Sequence, residues 1–311
     1  MEKKCNVNEN RLLWLDVAKG ITILLMLLGH TSIPRPFSNF IFAFHMPLFF
    51  FASGWCTNWI KYSFPLFVSK KVKSLFVPFF LYSISVLCIA GLIGKEDLCI
   101  NNVLRNGWGG YALWFVPVLL LSTVFARIIM LISQSWVRYT IVVFFILLGV
   151  SWNYYHVWLP WTLSSVPYAT GLLLLGSSLK KYQEYIQRPR WWIFVVGLFL
   201  TLFISQNWRL DLAWNNIIPV TILTVGAISG TLMMFTLSSW LTNKIALITK
   251  VFQAIGKETF IIMAFSQILG EMVQFFFSTN KLFEYAAMVF LLFIIVLIKN
   301  GINRLIGFKL I

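Results

Sequence analysis

Two of the chain's three histidines fall in apolar surroundings beside other residues that can do chemistry. The first apolar stretch, RLLWLDVAKGITILLMLLGHT (11–31), holds Asp16 and Lys19 near its start and His30 near its end. On a helix, Asp16 and Lys19 lie one turn apart on one stripe, and His30 follows about 16 Å further along the axis. A carboxylate, an ammonium and an imidazole on one face of an apolar helix could hold a charged substrate and move a proton. An ion pair near an interface with a helix-end histidine is the plainer reading, and the residues alone leave both open. His45, in FAFHMPLFFFASGW (42–55), supplies a second imidazole. A short connection would make the two helices neighbours, so that His30 and His45 face one another across a cavity. Pro47 removes the N–H partner of the Ala43 carbonyl there. His156 falls in a loop and reads as a surface residue.

Lys70, Lys71 and Lys73, in SKKVKSLFVPFF, gather three ammonium groups at the start of the third apolar run. They suit a phosphate-binding patch, or the anchoring of a helix at a cytoplasmic interface. Trp114, in YALWFVPVLLL, and Trp108 just before it suit a platform on which a sugar ring stacks, or an interfacial aromatic belt. Cys5, Cys56, Cys88 and Cys99 have neither metal-ligand nor redox spacing, so no metal is expected.

The elements that must position these residues are membrane helices. The 311 residues are 59% hydrophobic and only 11% charged, against about 25% charged in a soluble domain. An all-α, polytopic helix bundle is expected, forming one domain over 1–311 without a separate soluble part. The first apolar stretch is too long for a cleavable signal peptide and lacks its small-residue site. Ten apolar spans can be counted, at about 11–31, 37–59, 74–94, 112–132, 138–153, 159–179, 190–206, 215–240, 251–277 and 282–299. Ten crossings put both termini on one side. With that side cytoplasmic, nineteen of the 25 lysines and arginines lie inside, five lie outside, and Lys19 lies within the membrane. That is the expected inside excess of positive charge. The net charge of +15 therefore reports topology rather than nucleic-acid binding. No internal repeat or low-complexity run is visible.

The runs WLDVAKG and LLGH, then FHMPLFFFASGW, KKVKSLFVPFF and YALWFVPVLL, resemble the acyltransferase 3 family of integral-membrane acyltransferases. Within that family the likeness is to the sugar and polysaccharide O-acetylases, the fucose 4-O-acetylase-like branch. The likeness spans essentially the whole chain and is most specific over residues 11–120. The resemblance implies a basic residue, ten intervening residues and a histidine in the first helix, here Lys19 and His30, with Lys where many members have Arg. The family often carries Gly-x-x-Ser followed some seven residues on by a histidine. Here Gly256, Lys257, Glu258 and Thr259 stand there, with Ser266 at the histidine's place.

The resemblance implies transfer of an acetyl or other short acyl group from acyl-CoA to a hydroxyl of a cell-surface or lipid-linked glycan, in a bacterial cell membrane. Acyl transfer needs a base for the hydroxyl and charge stabilisation for the oxyanion. His30 suits the base, since imidazole titrates near neutrality. Lys19 would hold a phosphate or carbonyl or orient Asp16, and His45 would assist. Lys70, Lys71 and Lys73 would take the head of acetyl-CoA, and Trp114 and Trp108 the acceptor. Glycan and membrane lipids are the expected partners, nucleic acid is not, and homo-oligomerisation is left open. Two other classes compete. A flippase for a lipid-linked sugar would line a path with His30, His45 and Glu271, usually with a repeat symmetry that is not seen here. A membrane scaffold would not need the stripe of Asp16, Lys19 and His30.

Overall fold

The computed structural model describes residues 12–31, 33–94, 111–188, 190–277 and 281–306. Regular structure among them is helical, apart from an isolated antiparallel bridge between Asp211 and Asn216. The α-helices are α1 (Leu13–Gly29), α2 (Arg35–Cys56), α3 (Phe64–Leu92), α4 (Phe115–Met130), α5 (Ser135–Tyr154), α6 (Val166–Leu179), α7 (Gln183–Gln187), α8 (Trp191–Asn207), α9 (Val220–Lys244), α10 (Ala246–Lys257), α11 (Thr259–Phe276) and α12 (Lys281–Ile306). Proline starts several of them: α2, α3 and α6 each carry one in the first two positions, where the missing N–H costs nothing.

Seven helical segments are long and apolar enough to cross a membrane. They are α2 to α5, α9, α11 and α12, with α4 counted together with the 3-10 turn Ala112–Trp114 that precedes it. α1, α6 and α8 are apolar but only 17, 14 and 17 residues long. The expected span 251–277 is not one helix. It breaks at Glu258 into α10 and α11. Glu258 pairs with Lys299, which ties the break to α12. The sixth span is likewise helical only from Val166, after a 3-10 segment, Pro160–Ser165, in which Trp161 and Thr162 take positive φ.

Burial separates a centre from a periphery. α1, α2, α6 and α9 carry most of the buried large side chains, including Phe44, Phe50, Phe51, Trp55, Tyr168 and Phe235. α5 and α12 instead present Phe144, Leu147, Phe290, Phe293 and Leu297 outward. In water these faces would be a liability, whereas against lipid chains they cost nothing. At two helix crossings a pair of glycines lies against the partner's backbone. A Cβ on Gly20 of α1 would lie 2.1 Å from the Phe252 carbonyl oxygen of α10, and one on Gly256 would lie 1.9 Å from that of Asp16. α2 and α6 repeat the device: a Cβ on Gly54 would meet the Leu173 oxygen at 1.9 Å, and one on Gly176 the Phe51 oxygen at 2.2 Å. Small residues let membrane helices gain dispersion contact where no hydrophobic drive remains. The first crossing holds α1 against α10 and the second holds α2 against α6.

Candidate active site

α1 ends where the His30 N–H bonds back to the Met26 and Leu27 carbonyls, and the chain turns into α2 within five residues. This hairpin brings the two imidazoles together. The His30 and His45 ring centroids are 6.2 Å apart, edge to face, and Phe42 packs on both rings at 5.4 and 4.7 Å. His45 is buried, and its Nδ1 lies 3.0 Å from the Ile41 carbonyl oxygen. A carbonyl can only accept, so Nδ1 carries the proton and Nε2 the lone pair.

His30 lies between two cavities. The larger, about 420 Å³, is lined by His30, Tyr111, Ser266, Gln267, Glu271 and Glu284 among others. The smaller, about 180 Å³, is lined by His30, His45, Trp114, Arg209, Trp214 and Gln267 among others. His30 and Gln267 are the polar side chains common to both walls. They touch: Gln267 Nε2 lies 3.2 Å from His30 Nδ1. The other end of the same amide, Oε1, is buried without a hydrogen-bond partner.

The loop between α8 and α9 closes the smaller cavity and supplies its charge. The Arg209 guanidinium stacks on Phe42, 3.6 Å from the ring centroid, on the ring that also packs on both imidazoles. It donates to Ser38 Oγ at 3.2 Å, and Ser38 in turn donates to the Gly29 carbonyl at 3.3 Å. Asp211 forms an ion pair with Arg209, Nε to Oδ2 at 3.6 Å, and accepts a hydrogen bond from the Ala213 N–H at 3.2 Å. Burial raises the Asp211 carboxyl above its ordinary value, and the adjacent Arg209 opposes that rise. In the larger cavity the Tyr111 hydroxyl donates to Glu271 Oε2 at 2.6 Å. Ser266, at the place of the family's late histidine, spends its hydroxyl on the Met263 carbonyl at 2.9 Å. Its neighbour Gln267 is the residue that reaches His30.

The remaining expected site residues are distributed as follows. Asp16 and Lys19 form an ion pair of 2.7 Å, with Asp16 buried against α10. Lys19 is therefore bound to Asp16, about 16 Å of helix from His30. Trp114 is buried and lines the smaller cavity. Trp108 lies outside the described residues. Lys70, Lys71 and Lys73 sit near the start of α3, at the end of the bundle where Lys19 and Lys180 both act electrostatically on Cys56. Lys70 stacks on Tyr62, Lys71 reaches Thr57 Oγ1 at 3.4 Å, and Lys73 is exposed. His156 is exposed in the loop after α5. Among the described residues no group of His, Cys, Asp and Glu could hold a metal.

Gln267, Arg209 and Tyr111 were not singled out from the sequence. Gln267 could have been, because an amide in an apolar span is a membrane polar residue of the kind that needs a partner. Arg209 reads only as one outer-loop charge, and nothing local marks Tyr111.

An apolar bundle with an imidazole between two polar cavities has the makings of a membrane enzyme. The chain belongs to the acyltransferase 3 family: the family's model, an acyltransferase domain, matches residues 12–299. It is therefore a membrane acyltransferase. No match was found among curated proteins or among solved structures.

Proposed function

We propose that the protein is an O-acyltransferase of the fucose 4-O-acetylase-like branch. It moves an acetyl group from acetyl-CoA to a hydroxyl of a cell-surface or lipid-linked glycan across a bacterial inner membrane. The observation that carries this reading is the position of His30, open to two cavities at once in a chain of an acyltransferase family. One cavity can hold the thioester and the other the hydroxyl, with the imidazole between them. Trp114 and Trp214 favour the smaller cavity for the sugar, since aromatic faces pack against its apolar ring surface.

His30 takes the acceptor's hydroxyl proton as the oxygen attacks the thioester carbonyl carbon. The tetrahedral oxyanion then collapses, the carbon–sulfur bond breaks, and the imidazolium returns the proton to the leaving thiolate. Arg209 supplies positive charge beside the oxyanion. Gln267 sets the tautomer. With its amide turned so that Oε1 accepts from His30 Nδ1–H, the buried carbonyl gains the partner it lacks, and Nε2 of His30 keeps the lone pair that a base needs. Lys70, Lys71 and Lys73 mark the basic end from which the coenzyme enters, and Lys19, held by Asp16, adds to that charge.

Ten crossings with both termini cytoplasmic fit this arrangement, with α10 and α11 together making one crossing broken at Glu258. The nineteen-to-five distribution of lysine and arginine supports it. The deciding experiment uses the purified protein in lipid nanodiscs with acetyl-labelled acetyl-CoA and the cell's own surface glycan. Label should enter the glycan as an alkali-labile ester. Labelled coenzyme consumed without ester, or glycan moved across the bilayer without modification, refutes the reading.

A further inference from the structure

The end of the bundle opposite His30 holds a buried charge with no compensating partner. Arg127, in the last turn of α4, is only 5% exposed. Its Nη2 donates to the Tyr62 carbonyl at 3.2 Å, while Nε and Nη1 are buried with no hydrogen-bond partner. An unpaired buried charge is among the most expensive arrangements in a protein, and unmade hydrogen bonds on the same group add to the cost. Among the described residues no carboxylate pairs with it: the ion pairs Asp16–Lys19, Arg209–Asp211 and Glu258–Lys299 do not include Arg127.

The neighbours add to the charge. The guanidinium carbon of Arg127 lies 5.8 Å from the Phe67 ring centroid, and Lys71 Nζ lies 5.8 Å from the same centroid. Lys70 stacks on Tyr62, the residue whose carbonyl Arg127 holds, at 3.7 Å, and Lys61 lies 5.4 Å from that ring. Lys70 and then Lys61 also pull the Tyr62 phenol below its ordinary value. Four cations thus gather around two aromatic rings, and the innermost keeps its donors free. Lys73, by contrast, is exposed and makes none of these contacts.

We infer that Arg127 and Lys71, flanked by Lys70, form an anion site for a phosphoryl group between the start of α3 and the end of α4. A phosphate offers several acceptor oxygens in the geometry a guanidinium fork matches, and Lys71 adds a point charge. The phosphoryl group has two sources, the coenzyme of the proposed donor and an anionic phospholipid headgroup. The site itself stands on the unpaired charge, and only the coenzyme source rests on the proposed reaction.

The test is the thermal midpoint of the purified protein, with and without coenzyme A, in nanodiscs of phosphatidylcholine alone or with added phosphatidylglycerol. Arg127→Gln keeps a donor for the Tyr62 carbonyl and removes the charge. Arg127→Lys keeps the charge and removes the fork. In phosphatidylcholine without coenzyme, Arg127→Gln should melt no lower than the unaltered protein, because an uncompensated charge has gone. Coenzyme A should raise the unaltered protein's midpoint, and Arg127→Gln should weaken its apparent affinity by about tenfold or more, with Arg127→Lys between. A stabilisation by phosphatidylglycerol that disappears in Arg127→Gln, with coenzyme inert, assigns the same site to a lipid headgroup and leaves the nanodisc labelling assay to judge the reaction. Two results overturn the proposal: a clear drop in the ligand-free midpoint of Arg127→Gln, which shows that the guanidinium charge is already compensated without an anion, or phosphoryl binding that is indifferent to Arg127.

Discussion

At the scale of the residue, the imidazoles and the amide that touches one of them divide the work. His30→Ala should cut acyl transfer by about 10²–10⁴, the usual worth of a general base, while the protein still inserts and folds. A lost interhelical hydrogen bond in a membrane costs only about 0.6 kcal/mol on average, so a merely structural His30 gives a far smaller effect in the same labelling assay. His45 spends Nδ1 on the Ile41 carbonyl and is buried, so His45→Ala should be milder in rate and more damaging to packing. Gln267 gives a sharper test. Gln267→Leu should lower kcat by less than the His30 loss and leave KM for acetyl-CoA nearly unchanged, because it frees the tautomer without removing the base. Gln267→Glu, which can still accept from Nδ1–H, should recover most of the rate. Isotope-labelled histidine spectra of the purified protein report the His30 tautomer directly, and a tautomer unaffected by Gln267→Leu removes the positioning role whatever the activity does.

At the scale of the element, the glycine crossings hold the site's helices in register. Gly256→Val should destabilise the bundle by more than the 1–3 kcal/mol or so of an ordinary overpacked core site. The contact is backbone oxygen at 1.9 Å, and no side chain can turn aside. Gly54→Leu should behave in the same way at the α2–α6 crossing. Gly91, also helical but with open space around it, is the control: Gly91→Ala should be neutral or stabilise by about 0.5–1 kcal/mol. Thermal midpoints of the three variants in one detergent test the contrast, and equal shifts would falsify it. The two crossings also give Gly256 a role that its motif position does not reveal. It brings α10 against the Asp16 backbone, next to the Asp16–Lys19 pair.

At the scale of the whole molecule, the distribution of charge along the bundle is the testable quantity. A reporter fused after Ile311 should be active only on the cytoplasmic side, and one placed in the loop that carries Arg209 only on the opposite side. The first outcome reversed alone would change the parity of crossings; both reversed would turn the bundle over and put the cations around Tyr62 outside. The exposed apolar faces of α5 and α12 are consistent with lipid on both, whereas the polar cavities open near His30 at the other end from Lys70 and Lys71. A coenzyme that docks at the basic end must therefore send its acyl arm most of the way along the α1 axis, about 16 Å from Lys19 alone.

Composition and periodicity determined the class of the protein, because a bilayer accepts few solutions for the backbone and helices are the commonest. Each apolar span contains helix, seven helical segments being long and apolar enough to cross a membrane, and the Asp16–Lys19 pair and the His30–His45 approach follow from helix geometry and one short hairpin. Those features are local, so sequence spacing carries them. The ion pair at the Glu258 break is not, since its partner Lys299 lies 41 positions away. Gln267 on His30, Arg209 on Phe42 and the unpaired Arg127 are likewise contacts between residues 65 to 237 positions apart or between loops and distant helices. Hydrophobicity says which face of a helix is buried, but in lipid an apolar face has no preferred partner. Which helix lies against which, and hence which polar side chains meet, is decided by close packing at glycines and by the few hydrogen bonds that the assembled bundle can satisfy.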